Sequence, residues 1–257
     1  MSLIEAIFLG ILQGLTEFLP VSSSGHLVLA QELLGINLPG LSFELVVHVG
    51  TLVAVLIYFR GRFIDLAKSL FDRERKREQR LILWIIVGTI PAGLAGLFLK
   101  PYFEAAFDSP LLTSYMLIAT GGILLAPKLS RSGQREVGFL SAVLIGLAQA
   151  LAILPGISRS GSTISAGMLA KIDPEKAAEF SFFLAVPAIG GAVLLKLNEF
   201  SSLDSSLYVP YAAGFLGSML AGLFAVYAVM ALIKQGRFQY FAFYCLAAGA
   251  LGVYLFV

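Results

Sequence analysis

Long apolar stretches separated by short polar segments dominate the pattern of this sequence. Several of these stretches approach or exceed the roughly 20 residues that an α-helix needs to cross a bilayer. Charged residues collect between them, most densely in 60–80. The pattern predicts six full membrane spans, which are Phe43–Phe59, Leu81–Leu99, Leu111–Ala126, Phe180–Leu197, Tyr208–Ile233 and Phe238–Val257.

Two further apolar segments are each broken by a proline, the first at Pro20 and the second at Pro155. Proline lacks a backbone N–H and clashes with the preceding turn, so a helix ends before it. Each segment is therefore predicted to form a helical hairpin that enters the membrane and turns back. The predicted arms are 1–19 with 24–36, and Val137–Leu154 with Ser162–Lys171.

The sequence around the second break repeats that around the first. Leu9-Gly-Ile-Leu-Gln13 recurs as Ile145-Gly-Leu-Ala-Gln149, and Val21-Ser-Ser-Ser-Gly25 recurs as Ile157-Ser-Arg-Ser-Gly161. Both echoes have the same offset of 136 residues, so they are in register. This indicates two related halves, each beginning with a broken hairpin.

Composition and charge extend this picture to a topology. The chain is 58% hydrophobic and 13% charged, which is far from a soluble composition and predicts a polytopic membrane protein. Of its 18 lysines and arginines, 15 lie in four segments between the predicted spans. If successive spans cross the membrane in opposite directions, all four segments lie on the same side, and the positive-inside rule makes that side cytoplasmic. These segments are 60–80, 127–136, 171–179 and 234–237.

An odd number of spans after each hairpin inverts the second half relative to the first. We therefore predict an all-α fold with an inverted-topology repeat, in which the first hairpin enters from outside and the second from the cytoplasm. It forms one integral membrane domain, 1–257, with repeats 1–126 and 137–257. Non-helical backbone at membrane depth must be buried or line a wet cavity, so the two hairpin tips should meet.

The two tips carry complementary polar groups. Glu17 and His26 lie only in the first copy, and the cation Arg159 lies only in the second. A guanidinium, several hydroxyls and two helix N-termini favour phosphate oxygens, so the joined tips are a candidate anion site. Alternatively, Arg159 pairs with Glu17 only to hold the hairpins together. His48 is interpreted as a bundle-facing residue without a catalytic role.

Two motifs give the chain a family resemblance. Gln13-x-x-x-Glu17-Phe-Leu-Pro-Val-Ser-Ser-Ser-Gly-His26 and Pro155-Gly-Ile-Ser158-Arg159-Ser160-Gly-Ser-Thr163 resemble the two signature motifs of bacterial undecaprenyl-diphosphate phosphatases. This family is linked to bacitracin resistance. The resemblance covers the whole chain in length, motif order and span layout. One departure is Gln13, where many members carry Glu.

The resemblance implies hydrolysis of undecaprenyl diphosphate to undecaprenyl phosphate and inorganic phosphate, which recycles the lipid carrier for peptidoglycan synthesis. It implies a multi-pass protein of the bacterial inner membrane whose active site faces the periplasm, with activity supported by Mg²⁺ or Ca²⁺. The expected partners are a polyprenyl diphosphate and the bilayer. We expect no organic cofactor and no nucleic acid, since no corresponding motif is present. The sequence is compatible with a homodimer without fixing the oligomeric state.

The hypothesis for the site follows from this resemblance. Ser23 is the first choice of nucleophile, with Glu17 or His26 as its base and Arg159 on the diphosphate. His26 as nucleophile and a metal-bound water, with Glu17 as metal ligand, are the alternatives. The residues expected to bind or position substrate are Gln13, Ser22, Ser24, Gly25, Ser158, Ser160 and Thr163.

A second functional class shares the predicted architecture. Inverted repeats whose broken helices meet near the bilayer midplane are also typical of secondary transporters. The chain would then be a transporter or flippase of an anionic lipid, without hydrolysis. Such a carrier needs charge complementarity, but it does not need a nucleophile beside a base.

Overall fold

The computed structural model of the chain describes residues 1–36, 41–129, 133–196 and 205–257. These residues fold into α-helices joined by short turns, and no β-strand occurs among them. The helices are α1 (Leu3–Phe18), α2 (Ser23–Leu34), α3 (Leu41–Tyr58), α4 (Arg60–Ser69), α5 (Lys76–Phe98), α6 (Lys100–Phe107), α7 (Pro110–Leu125), α8 (Phe139–Leu151), α9 (Arg159–Leu169), α10 (Pro174–Leu195), α11 (Tyr208–Lys234) and α12 (Tyr240–Phe256).

Helix lengths support a multi-pass membrane protein with fewer clear spans than predicted. Within the described residues, α5, α7, α10 and α11 (α7 and α11 with adjoining 3₁₀ turns) are long and apolar enough to cross a membrane. A fifth span arises if α3 and α4, which are bent by 78°, count as one. The 17 residues of α12 reach only about 25 Å, against a hydrocarbon core of about 30 Å. The all-α class is confirmed, whereas six spans plus two hairpins are not established by helix length alone.

Both predicted helix breaks are present. The first hairpin consists of α1 and α2, and the second of α8 and α9. The second arm of the second hairpin begins at Arg159, three residues before the predicted Ser162, because Ser158 already caps it. Leu197, the predicted end of the fourth span, lies outside the described residues.

The two return helices begin with the same cap. Ser22 Oγ accepts a hydrogen bond from the Gly25 N–H at 3.3 Å, and Ser158 Oγ accepts one from the Gly161 N–H at 3.1 Å. A serine N-cap satisfies one of the free N–H groups at a helix start. The backbones differ, since Ser22 has a φ of 71° and Ser158 a φ of −73°. A non-glycine residue at positive φ is uncommon and marks the first tip as strained.

Each hairpin packs against the other half of the chain. The first arm α1 lies mainly along α11, and the first arm α8 lies along α5. Glycines permit both approaches: a side chain at Gly10 would collide with the backbone of Gly214, and one at Gly146 with the backbone of Gly88. Small residues at helix crossings are the usual means of close packing in membranes. The interlocking of the two halves brings the tips together.

An aromatic cluster lies beside the tips. Phe18 at the end of α1 packs edge-to-face on Phe182 at 5.5 Å between ring centroids. Phe59 contacts both Phe182 and Phe183, at 5.9 and 5.4 Å. All four rings are buried, and they fix α1, α3 and α10 relative to one another.

Gly10→Val should lower the thermal stability of the detergent-solubilised protein, because the new side chain would force α1 away from Gly214. Overpacking of this kind typically destabilises by about 1 to 3 kcal/mol. Gly122→Val is the matched control, since a side chain at that helical glycine meets no atom within 4 Å. Equal denaturation temperatures for the two variants would contradict the close packing of α1 on α11.

Candidate active site

The two hairpin tips touch. A Cβ atom on Gly25 would lie 3.0 Å from the Cα of Gly156, so the tips have van der Waals contact at glycine. Ser160 Oγ also donates to the carbonyl of Leu19 at 3.4 Å. Gly156 has a φ of 91°, which side chains other than glycine rarely adopt. The predicted meeting of the tips is thus present in the structure.

Helices outside the motifs anchor both tips. Thr120 on α7 accepts a hydrogen bond from the Ser158 N–H at 3.0 Å and donates one to the Gly156 carbonyl at 2.7 Å. Cys245 on α12 donates a weak bond from its Sγ to the Pro20 carbonyl at 3.6 Å. Buried irregular backbone needs such partners, because no water replaces them in the membrane. Sequence reasoning did not identify either residue.

The central contact is an ion pair between the tips. The Arg159 guanidinium donates to Glu17 Oε1 at 2.6 Å, and its other terminal nitrogen donates to the Ser181 carbonyl at 3.2 Å. The Glu17 and Arg159 side chains are only 8% and 15% exposed. A pair of charges at this depth is expensive to bury and is a functional hypothesis by default.

Glu17 also accepts two hydrogen bonds on its second oxygen. Ser23 Oγ donates to Glu17 Oε2 at 2.6 Å, and Gln13 Nε2 donates to the same atom at 3.0 Å. Because the guanidinium and the amide nitrogen can only donate, the carboxyl group acts as an ionised acceptor. The Ser23 proton is directed at a carboxylate while the oxygen lone pairs stay available. This is the arrangement of a nucleophile beside a base.

His48 belongs to this site, although we predicted no catalytic role for it. It faces the bundle, as predicted, and its Nε2 lies 3.8 Å from Glu17 Oε2. Its Nδ1 lies 2.6 Å from the Glu44 carbonyl, which can only accept, so Nδ1 carries a hydrogen. A polar side chain within an apolar span was the available signal. The direction in which it points depends on the packing of α3 against α1.

His26 faces another way. Its Nδ1 donates to the Ser22 carbonyl at 2.8 Å, so its Nε2 accepts from the Tyr244 hydroxyl at 2.7 Å. Both ring nitrogens therefore have partners other than Ser23 and Glu17. Of the four predicted catalytic residues, the structure brings Glu17, Ser23 and Arg159 into direct contact and places the His26 imidazole against α12.

The predicted substrate-positioning residues divide into two groups. Ser22, Ser24 and Ser158 line a cavity together with Glu17, Ser23 and Arg159. The others are packed behind it: Gln13 on Glu17, Gly25 and Ser160 in the contact between tips, and Thr163 on the Ser181 hydroxyl at 2.6 Å.

The cavity has a volume of about 270 Å³ and is amphipathic. Its polar end is formed by the two tips and His48, and its apolar walls come from the end of α8 and from α10. Lys196 and Glu44 also line it. Such a space suits a compact anionic head joined to an apolar chain. The apolar wall residues are Leu45, Ala152, Ile153, Ile157, Ala188, Ile189, Ala192 and Val193.

The described residues do not form a metal site by themselves. No group of three histidine, cysteine or carboxylate side chains is close enough to hold an ion in this part of the chain. Glu17, the predicted ligand, already accepts from Arg159, Ser23 and Gln13. Mg²⁺ is commonly bound by one or two carboxylates together with substrate phosphates.

Together, the fold and the site define a class of protein. This is a multi-pass helical membrane protein in which two broken hairpins join a serine, a carboxylate and a guanidinium inside the helix bundle. The family follows from sequence comparison. A family model described as "Bacitracin resistance protein BacA" matches residues 6–251, so the chain belongs to this family.

Curated relatives match over their full length. The chain is 44% identical to an undecaprenyl-diphosphatase of Syntrophotalea carbinolica, with 98% of each chain covered. It is 39% identical to one of Methanosphaera stadtmanae, covering 100% of this chain and 99% of the relative. A third, from Desulforapulum autotrophicum, is 42% identical with 98% of each covered.

Proposed function

We propose that the chain is a membrane phosphatase that hydrolyses undecaprenyl diphosphate to undecaprenyl phosphate and inorganic phosphate. The observation that carries the proposal is the 2.6 Å hydrogen bond from Ser23 to Glu17, with the Arg159 guanidinium on the same carboxylate. The relatives of similar length that are named undecaprenyl-diphosphatase support the same reaction. Hydrolysis recycles the lipid carrier for cell-wall synthesis, and this is the basis of resistance to bacitracin.

The substrate headgroup enters the cavity between the tips. Arg159 then exchanges its contact with Glu17 for the phosphate oxygens, while its bond to the Ser181 carbonyl keeps the guanidinium in place. Guanidinium groups and the N–H groups of helix starts are good partners for phosphate. The polyprenyl chain lies along the apolar walls and continues into the bilayer.

Release of Arg159 leaves Glu17 free to act as a base. Glu17 takes the Ser23 proton, Ser23 Oγ bonds to the terminal phosphorus, and the bond from that phosphorus to the bridging oxygen breaks. Undecaprenyl phosphate leaves with the bridging oxygen. A water molecule then attacks the phosphorus of the phosphoserine, and the bond from Ser23 Oγ to phosphorus breaks while Glu17 returns its proton to Ser23 Oγ. Inorganic phosphate departs with the hydrogens of the attacking water and loses one of them to solvent. Arg159 offsets the charge on the equatorial oxygens in both steps.

The remaining residues act around this core. Ser22, Ser24 and Ser158 orient phosphate oxygens from the cavity wall, and Gln13 holds Glu17. Gly25, Ser160 and Thr163 keep the tips in position. His26 has a positioning role, because its ring forms hydrogen bonds with the Ser22 carbonyl of the first tip and with the Tyr244 hydroxyl. For His26 to be the nucleophile or base instead, its ring would have to leave Tyr244.

The proposed membrane arrangement has six spans and two re-entrant hairpins in the bacterial inner membrane. Repeats 1–126 and 137–257 are supported by the matching serine caps and by the way each hairpin packs on the opposite half. The cavity touches Lys196 at the C-terminal end of α10, whereas the basic segment 171–179 lies at its start. The positive-inside rule therefore favours a site that opens to the periplasm. One chain contains the whole site, so a homodimer is not required.

A carrier without hydrolysis receives no support from the comparisons, since the quoted relatives are named as phosphatases. The geometry also favours the enzyme. A carrier needs only to bind and release its substrate by reversible charge pairing. It therefore does not need a serine hydroxyl that donates to a buried carboxylate.

Ser23→Ala and Glu17→Gln should each lower the rate of phosphate release from undecaprenyl diphosphate in detergent by about 10²- to 10⁴-fold. This is the usual contribution of a positioned base. Wild type quenched in acid should also carry a phosphoryl group on Ser23, detected by peptide mass spectrometry. Thr89→Val is the control, because among the described residues the one hydrogen-bond partner of Thr89 Oγ1 is the Ile85 carbonyl of its own helix. Full activity in Ser23→Ala would overturn the serine mechanism, and binding without release by wild type would favour the carrier.

His48→Leu should reduce kcat/KM by about 10- to 100-fold, because it puts an apolar side chain in place of the polar ring that lies 3.8 Å from the buried Glu17 carboxylate. His48→Gln should retain activity within a few-fold, because it keeps a polar side chain beside Glu17. Steady-state kinetics of both variants would distinguish a positioning role from proton transfer. Equal losses in Leu and Gln would contradict positioning and make His48 an acid or base.

A further inference from the structure

A second cavity lies at the opposite end of α10 from the candidate active site. Its volume is about 640 Å³, and it lies between the starts of α5 and α10 and the segment before α8. Its floor is apolar and partly aromatic, formed by Leu81, Trp84, Phe180 and Phe183. Trp84 and Phe183 are 8 and 9 residues from the starts of candidate membrane spans. At 1.5 Å per residue, the cavity therefore reaches about 12 to 14 Å into the helix bundle.

Its rim carries more cations than carboxylates. Five basic and three acidic side chains line the cavity, an excess of two positive charges. The basic residues are Arg62, Lys76, Arg77, Arg80 and Lys176, and the acidic residues are Glu78, Glu136 and Glu179.

Part of this charge is organised by ion pairs. Arg77 and Lys176 both donate to the same oxygen of Glu136, at 2.7 and 2.6 Å, so two cations share one carboxylate. The Lys176 ammonium, followed by the Arg77 guanidinium, lowers the pKa of the Glu136 carboxyl, which is therefore ionised at neutral pH. Backbone bonds between Arg135 and the turn at 171–173 hold the Glu136 segment in place.

Two cations on the rim have no such partner. Within the residues that the structure describes, no ion pair or side-chain hydrogen bond is formed by Lys76 or Arg80. They lie four apart on α5, hence on one face of the helix, above the aromatic floor. The cavity thus combines an unneutralised basic rim with an apolar interior at the end of two spans.

We propose that this cavity binds the phosphate headgroup of an anionic membrane lipid, with the first part of its apolar chain on the aromatic floor. Charge complementarity identifies the head, because arginine and lysine are the usual partners of phosphate. The lining identifies a tail, since the half-buried Leu81, Trp84 and Val137 give the cavity an apolar surface that a free anion would leave uncovered. Tryptophan at the start of a span is also typical of the membrane interface.

This site is separate from the hydrolytic one. The active-site cavity contacts α10 at 188–196 and the second cavity contacts it at 176–183, and no residue lines both. The buried rings of Phe59 and Phe182 line neither cavity, and Phe183 lines only the second. The inference therefore stands independently of the proposed reaction.

The test uses the full chain purified in detergent and native mass spectrometry. Phosphatidylglycerol should be retained about tenfold better than zwitterionic phosphatidylcholine. The double variant Lys76→Gln/Arg80→Gln should lose this preference. Lys68→Gln/Arg73→Gln is the matched control: it removes two exposed charges from the same segment, outside the cavity, and should keep the preference. Thermal denaturation confirms that both variants are folded, so the result does not depend on catalysis.

Further measurements identify which phosphate-bearing molecule occupies the cavity. Retention of a polyprenyl monophosphate in place of phosphatidylglycerol, lost in the same double variant, would also support the proposal and would assign the site to an isoprenoid lipid. Trp84→Ala should weaken lipid retention, and its thermal stability is measured in parallel because Trp84 also packs on Phe139. Equal retention by the two double variants would overturn the proposal. So would binding of inorganic phosphate by wild type without retention of any phosphate-headed lipid.

Discussion

The buried ion pair between Glu17 and Arg159 is the interaction on which the rest of this structure depends. Moving either charge into the membrane interior alone would be strongly unfavourable, so each requires the other at contact distance. Because one lies on the first hairpin and the other on the second, the pair forms only when both hairpins enter the bundle and their tips meet. Glycine contacts between α1 and α11 and between α8 and α5 allow that approach.

The same contact explains how a stable pair can serve chemistry. In the proposed mechanism, a diphosphate offers Arg159 more negative charge than Glu17 does, so binding of the substrate separates the pair without leaving the cation unpaired. The carboxylate that would be released already accepts a hydrogen bond from the Ser23 hydroxyl. The proposal thereby links substrate binding and activation of the serine through one side chain. The proposed lipid-headgroup cavity at the other end of α10 lies outside this linkage.

Much of this could be predicted from local sequence. Pro20 and Pro155 each follow the end of a helix, whereas Pro91 and Pro187 lie inside α5 and α10. The offset repeat around Pro20 and Pro155 identified both tips and placed Glu17 and Arg159 on tips that were expected to meet. The contacts of Thr120 with the second tip and of His48 with Glu17 could not be predicted, because they depend on how distant helices pack. The direction of the His26 ring depends likewise on Tyr244, 218 residues away in the chain. Local breaks and charges are encoded in short motifs, whereas side-chain orientation is a property of the assembled bundle.

A double-mutant cycle on the ion pair tests the central claim most directly. Thermal or denaturant unfolding would be measured for wild type, Glu17→Gln, Arg159→Gln and the double variant. The account predicts that each single change destabilises the protein by about 3 to 5 kcal/mol, because it leaves a buried charge without its partner. The double variant should then be no less stable than either single variant. Additive losses in the double variant would show that the two charges do not interact and would contradict a site built by joining the two hairpins.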